Sequence, residues 1–112
     1  MNRDRTPPQS CETMADVRRG VDRLDEEIVA RLAERFRYMD AAARIKPERS
    51  AVRDEGRKAE VLANVARLAV AEDAPEAEIM TLYEQLIEAS IAHELVRFDG
   101  LRGEAEGRLN KQ

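Results

Sequence analysis

From Met14 to Ala43 the apolar residues Met14, Val17, Val21, Leu24, Ile28, Leu32, Phe36, Met39 and Ala43 recur at steps of three or four, and no proline interrupts them. That period is the signature of a helix with one apolar face. Thr13 is placed to cap it, and Asp16 three residues on completes a variant capping box. Pro47 disfavours helical geometry at Lys46 and ends the element. A helix over 13–46 is roughly 50 Å long at about 1.5 Å per residue. A compact monomer of 112 residues is only roughly 35 Å across. The helix overshoots its own domain while its stripe continues to the end, so a partner must cover the excess. The expectation is an intertwined, obligate homodimer.

Two further helices follow. Asp54 suits an N-cap, and Val61, Leu62, Val65, Leu68 and Ala69 mark a helix ending near Ala71. Glu72-Asp73-Ala74-Pro75 reads as a turn into a helix starting at Pro75. This third helix carries Ile79, Leu82, Tyr83, Leu86, Ile87, Ile91, Leu95 and Phe98. No stretch alternates at period two, so the fold class is all-α: a three-helix chain with a long first helix. Pro7-Pro8 and the absence of periodicity make residues 1–12 a flexible lead-in. The folded domain spans 13–98. Three glycines and mixed charge leave 99–112 a flexible tail, as frayed helix or disorder.

Composition narrows the function classes. With 38% charged and 43% hydrophobic residues the chain suits a soluble helical protein. One Cys and one His argue against a disulfide framework and a zinc enzyme, so no metal or cofactor is expected. The net charge of −4 opposes nucleic-acid binding by bulk charge. No apolar run reaches the roughly 20 residues of a membrane span, and the polar start lacks a signal-peptide core, so a cytoplasmic location is expected. Neither a phosphate-binding glycine loop nor a nucleophile elbow is present.

The first helix is rich in cations: Arg18, Arg19, Arg23, Arg31, Arg35, Arg37, Arg44 and Lys46. By charge pattern alone a solvated, salt-bridged face is the favoured reading, since acids are interspersed. Geometry offers another. Arg35 and Lys46 differ by about 20° around the helix and by roughly 16 Å along it, so their long side chains could grip opposite ends of a small anion. Arg18 lies roughly 25 Å before Arg35 and could join them only from an antiparallel partner helix. On the third helix Ser90 and Glu94 share one face beside the apolar line. Either Ser90 bonds its own helix and Glu94 sits at the solvent edge, or both face a cavity. His93 reads as a surface imidazole, and Cys11 has no assigned role.

These residues point to a family. The run from Ala15 through Arg18-Arg19 and Asp22 to Val29 resembles the start of the all-helical chorismate mutases. Leu32–Phe36, Ala41–Lys46 and Val52–Arg57 continue the resemblance, which covers about residues 11–98. The spacing Arg18, Arg35, Lys46, then Asp54-x-x-Arg57 carries it. The stretch from Cys11 to Lys46 is similar also to the isochorismate pyruvate lyases, close relatives in that family. The resemblance implies an entwined dimer of three-helix chains with two active sites and chorismate as substrate. It implies that Arg18 enters the partner's site to bind a carboxylate and that Arg35 binds a carboxylate. Lys46 would reach a carboxylate and the ether oxygen. Arg57 and Ser90 would complete the anion-binding wall, and Asp54 would contact the ring hydroxyl region. Glu94 matches a side chain that hydrogen-bonds the ether oxygen, and Lys58 stands where many mutases carry Glu against the ring hydroxyl.

The reaction so implied is the cofactor-free [3,3] rearrangement of chorismate to prephenate, a step of the shikimate pathway toward aromatic amino acids. Lys46, Glu94 and Arg35 would be its catalytic groups. Many mutases carry Gln where this chain has Glu94; a carboxylate only accepts, so Glu94 must be protonated to donate, and activity is expected to rise toward acidic pH. The alternatives are pyruvate elimination from isochorismate to give salicylate, a mutase for amino-substituted chorismate suggested by Lys58, and a non-catalytic helical dimerisation module. Gel filtration and sedimentation over a dilution series should show a dimer that loses its helical signal as it dissociates; a well-folded monomer would contradict the expected obligate dimer.

Overall fold

The computed structural model describes residues 6–110, without the side chains of Glu106 and of residues 108–110. It is helical, with no strand among the described residues. The elements are a 3-10 turn at Pro8–Ser10, helix α1 at Met14–Ile45, a second 3-10 turn at Arg49–Ala51, helix α2 at Glu55–Ala71 and helix α3 at Glu76–Asn110. Among the described residues no helix is long and apolar enough to cross a membrane. The chain divides into two compact units, residues 1–35 and 36–112, with the boundary inside α1.

The helix ends follow local chemistry. At the start of α1 the Thr13 hydroxyl accepts from the Asp16 N–H at 3.1 Å. The Asp16 carboxylate in turn accepts from the backbone N–H groups of Glu12 at 3.1 Å and Thr13 at 3.2 Å. This is a reciprocal capping box with Asp in the Glu position. The N–H of Glu12 is the main reason the Asp16 carboxyl is held below its ordinary range. Asp54 caps α2, accepting from the Arg57 N–H at 3.0 Å. At the far end of α2 Asp73 adopts φ 54°. Ala74 N–H then reaches Ala69 O at 2.8 Å and Asp73 N–H reaches Val70 O at 3.1 Å. That pair of bonds is a Schellman motif, with Asp in the left-handed position that Gly usually takes. Pro75 follows, and Glu76 and Glu78 place negative charge in the first turn of α3.

Within the N-terminal unit the apolar stripe is uncovered. Met14, Val17, Val21, Leu24 and Ile28 are between 38% and 58% exposed. The lead-in is partly structured: residues 1–5 lie outside the described residues, but Pro8–Ser10 form their 3-10 turn. The Cys11 thiol points to the carbonyls of Thr6 and Pro7.

The second unit holds the core. Ala43, Val52 and Phe98 form a buried cluster with Ile91, Leu95 and Leu101 packed against it. Val65, Ala69 and Ile87 are buried along α2 and α3. Val52 belongs to no helical stripe; it is buried because the turn at Arg49–Ala51 folds the connecting segment toward α3. Leu68 and Leu82, expected on buried stripes, are exposed. A run of adjacent apolar residues spreads around more of a helix than one neighbour can cover. The segment after Phe98, which the sequence leaves between frayed helix and disorder, has a helical backbone to Asn110.

Candidate active site

Lys46 follows the last residue of α1, its N–H bonded to Ala42 O at 2.9 Å. Its Nζ donates to Glu94 Oε2 at 2.7 Å and to Val52 O at 3.4 Å. The Glu94 side chain is 4% exposed and that of Lys46 is 29% exposed. A carboxylate so deep in a helical interior is costly unless paired, and the ammonium supplies the pairing. The two residues stand 48 apart in sequence and form a joint across α1 and α3. Glu94 is therefore an interior group, and the solvent-edge reading is excluded.

Ser90, one turn earlier on α3, is also buried. Its hydroxyl donates to Leu86 O at 2.7 Å, the local back-bonding that one sequence reading foresaw. The sequence missed a neighbouring joint. His93 Nε2 sits 2.7 Å from Asp40 Oδ1 and the ring meets Phe36 edge-on at 5.0 Å. His93 is thus partly covered and tied to α1, where it was expected to be a plain surface residue. The signal was present: Phe36 and Asp40 are four apart and share a helix face.

The remaining candidates have local partners. Asp54 is occupied as the α2 cap. Arg57 extends to Glu60 at 3.3 Å and is largely exposed. The Lys58 ammonium lies 3.0 Å from both Glu84 and Glu88 of α3. Arg53 adds bonds to Glu88 at 2.6 Å and to Glu55 at 2.8 Å. These bonds raise the Lys58 ammonium and the Arg53 guanidinium above their ordinary ranges, Glu88 being the largest cause for each. They push the Glu88 carboxyl down to about 2, chiefly through the Arg53 hydrogen bond. Lys58 thus fastens α2 to α3 and is not bonded to the Lys46–Glu94 pair.

Arg18 and Arg35 belong to the N-terminal unit, Arg18 exposed and Arg35 half-buried. That unit also holds an apolar pocket of about 600 Å³. Thr6, Pro7, Pro8 and Cys11 form one wall of it, and Val17, Gly20, Val21 and Leu24 of α1 the other. It contains none of the expected site residues. It is a groove along the uncovered stripe, suited to apolar side chains more than to a charged substrate.

An all-helical chain with a buried ammonium–carboxylate pair between its long helices now has a context among known proteins. Residues 17–95 match the model of the chorismate mutase type II family. The chain is also 36% identical over 100 residues to the isochorismate pyruvate lyase of Pseudomonas aeruginosa, covering 88% of this chain and 97% of that protein. The chain belongs to the chorismate mutase type II family, an enzyme superfamily. The matched residues include Arg18, Arg35, Lys46, Asp54, Arg57, Lys58, Ser90 and Glu94.

The α2–α3 clasp makes a prediction. A carboxyl held low stabilises the fold fully above its ordinary value of 4.5 and loses that contribution as pH falls toward about 2. Glu88→Gln should lower the melting temperature at pH 7, and the difference from wild type should shrink between about pH 4.5 and 2. A constant difference over that range would show that the pairing contributes nothing.

Proposed function

We propose that this chain is a chorismate mutase that works without a cofactor as an intertwined homodimer. The observation that carries the reading is the pairing of the half-buried Lys46 ammonium with the buried Glu94 carboxylate. Chorismate is a dianion whose enolpyruvyl ether C–O bond breaks while a new C–C bond forms in one concerted step. Nothing is added or removed, so the protein must hold the reactive conformer and stabilise charge. Cations that grip both carboxylates remove rotational freedom before reaction. Negative charge grows on the ether oxygen as its bond stretches, and a preorganised ammonium there lowers the barrier. The Glu94 carboxylate orients Lys46.

The dimer reading rests on the exposed stripe from Met14 to Ile28. A second copy carrying the same stripe covers it in an isologous contact. By the resemblance, that copy contributes Arg18 to a site that also uses Arg35, Lys46, Arg57 and Ser90. A non-catalytic dimerisation module does not require an ammonium set against a buried carboxylate.

A second reading is favoured by a specific finding. The relative at 36% identity is named an isochorismate pyruvate lyase. In that reaction the ether C–O bond of isochorismate breaks, the hydrogen on the ring carbon moves to the enolpyruvyl methylene, and pyruvate and salicylate result. Charge develops on the same oxygen, so the same clamp serves both reactions. The amino-substituted substrate gains no support from Lys58, whose ammonium is held by two glutamates.

The deciding assay gives purified protein chorismate and isochorismate separately and identifies products by chromatography. Prephenate as the dominant product supports the mutase, salicylate with pyruvate the lyase, and no turnover of either the module. Lys46→Gln keeps a neutral donor beside Glu94 and should lower kcat/KM roughly 100- to 1000-fold. Glu94→Gln removes the carboxylate that holds the Lys46 ammonium and should lower kcat more than it changes KM.

Shared sites are tested by mixing. Arg18→Ala and Lys46→Gln chains should each be nearly inactive alone. Co-refolded in equal amounts they should recover about a quarter of wild-type activity, since half the dimers are mixed and each has one intact site. No recovery would place Arg18 outside the partner's site.

A further inference from the structure

α3 continues beyond the residues matched by the family model, and its extension reaches back to Lys46. The Arg102 guanidinium lies over the Phe98 ring, 3.7 Å from its centroid. From there it donates through Nη1 to Ala43 O at 2.8 Å and through Nη2 to Lys46 O at 2.5 Å. Ala43 is fully buried. In a continuing helix its carbonyl would accept from the N–H of residue 47, but that residue is Pro47 and has none. A buried carbonyl left without a donor is costly, and Arg102 supplies what the proline withholds. A cation at the C-terminal end of α1 also complements the helix dipole.

A second contact holds the same region. Arg49, in the 3-10 turn after Lys46, makes a two-bond pair with Asp99 of α3 at 2.9 and 3.3 Å. The backbone on both sides of Lys46 is therefore tied to the end of α3, while its ammonium is tied to Glu94 of the same helix.

We propose that Arg102 is a positioning residue for the reaction: by bonding the carbonyls of Ala43 and Lys46 it sets the place from which the Lys46 ammonium reaches the substrate ether oxygen. This rests on the reading of Lys46 as a catalytic group. Arg102 itself touches no substrate.

The test compares wild type, Arg102→Ala, Arg102→Lys and Lys46→Gln as full-length protein. Readouts are kcat and KM for chorismate and isochorismate, thermal unfolding, and the Lys46 ammonium resonance by NMR. Arg102→Ala should lower kcat about tenfold to a hundredfold with a smaller change in KM, since small misplacement of a reacting group is costly. It should also speed exchange of the Lys46 ammonium protons, because the pair with Glu94 loosens. Arg102→Lys keeps a donor for the carbonyls and should recover part of both effects; it also serves if the alanine variant fails to fold. A folded Arg102→Ala with kcat within about twofold of wild type, or with an unchanged Lys46 resonance, overturns the proposal. A kcat loss that Lys46→Gln does not share also overturns it, by removing Lys46 from the chemistry. If wild type turns over neither substrate, the functional reading fails. The resonance then still decides whether Arg102 places Lys46.

Discussion

The second unit is organised around one electrostatic necessity, the Glu94 carboxylate inside a helical interior. Desolvating such a group costs several kcal/mol unless a cation and hydrogen bonds replace the lost water. Lys46 provides the cation, and it can do so only if the end of α1 stops at the right depth. Three features enforce that stop. Pro47 ends the helix, Arg102 satisfies the carbonyls that the proline orphans, and Val52 buries the returning segment against Phe98. Core packing and the polar joint are thus one arrangement seen from two sides. Hydrophobic pairs of similar volume often stabilise such interiors as well, so a charged pair here is not needed for packing alone. Its use, on the reading proposed here, is to meet a dianionic substrate at its breaking bond.

Several cations of the second unit are matched by acids nearby. Arg53 and Lys58 share Glu88, Arg49 takes Asp99, and Arg57 extends to Glu60. Even Lys46 is neutralised by Glu94. In a chain with net charge −4, cations paired in this way add little positive field to draw in a double anion. On the function proposed above, the further guanidinium groups that such a substrate needs would be those of Arg18 and Arg35. On that proposal a second copy would both cover the exposed stripe and bring its own Arg18.

Local signals were legible in the sequence. The period of the stripe, the Thr13–Asp16 box, Asp54 as a cap and the turn before Pro75 all act over a few residues, and the structure has each of them. Lys46 and Glu94 could be singled out because charged and polar residues beside an apolar line stand out. What pairing alone could not reveal is how competing acids distribute the cations. Lys58 is singled out by the resemblance alone, and its pairing with Glu84 and Glu88 depends on their position on another helix. The same holds for His93 with Asp40, which are 53 residues apart. The exposure of Leu68 and Leu82 has a related cause, since periodicity marks an apolar face but not which part of it a single chain can cover.

Arg102 shows most plainly where reading along the chain stops. Gly100, Gly103 and Gly107 argue against helix, each at a cost of about 1 kcal/mol relative to alanine. Their penalty is local, while the compensation is not: Phe98 is buried, Leu101 packs on the same cluster and Arg102 bonds two carbonyls of a distant helix end. The missing N–H of Pro47 was visible from the start, and with it a buried carbonyl in need of a donor. Which of the many arginines would answer that need is a question of three-dimensional reach. A requirement can therefore be read locally even when its solution cannot, and each proline that ends a buried helix poses the same search for a distant donor.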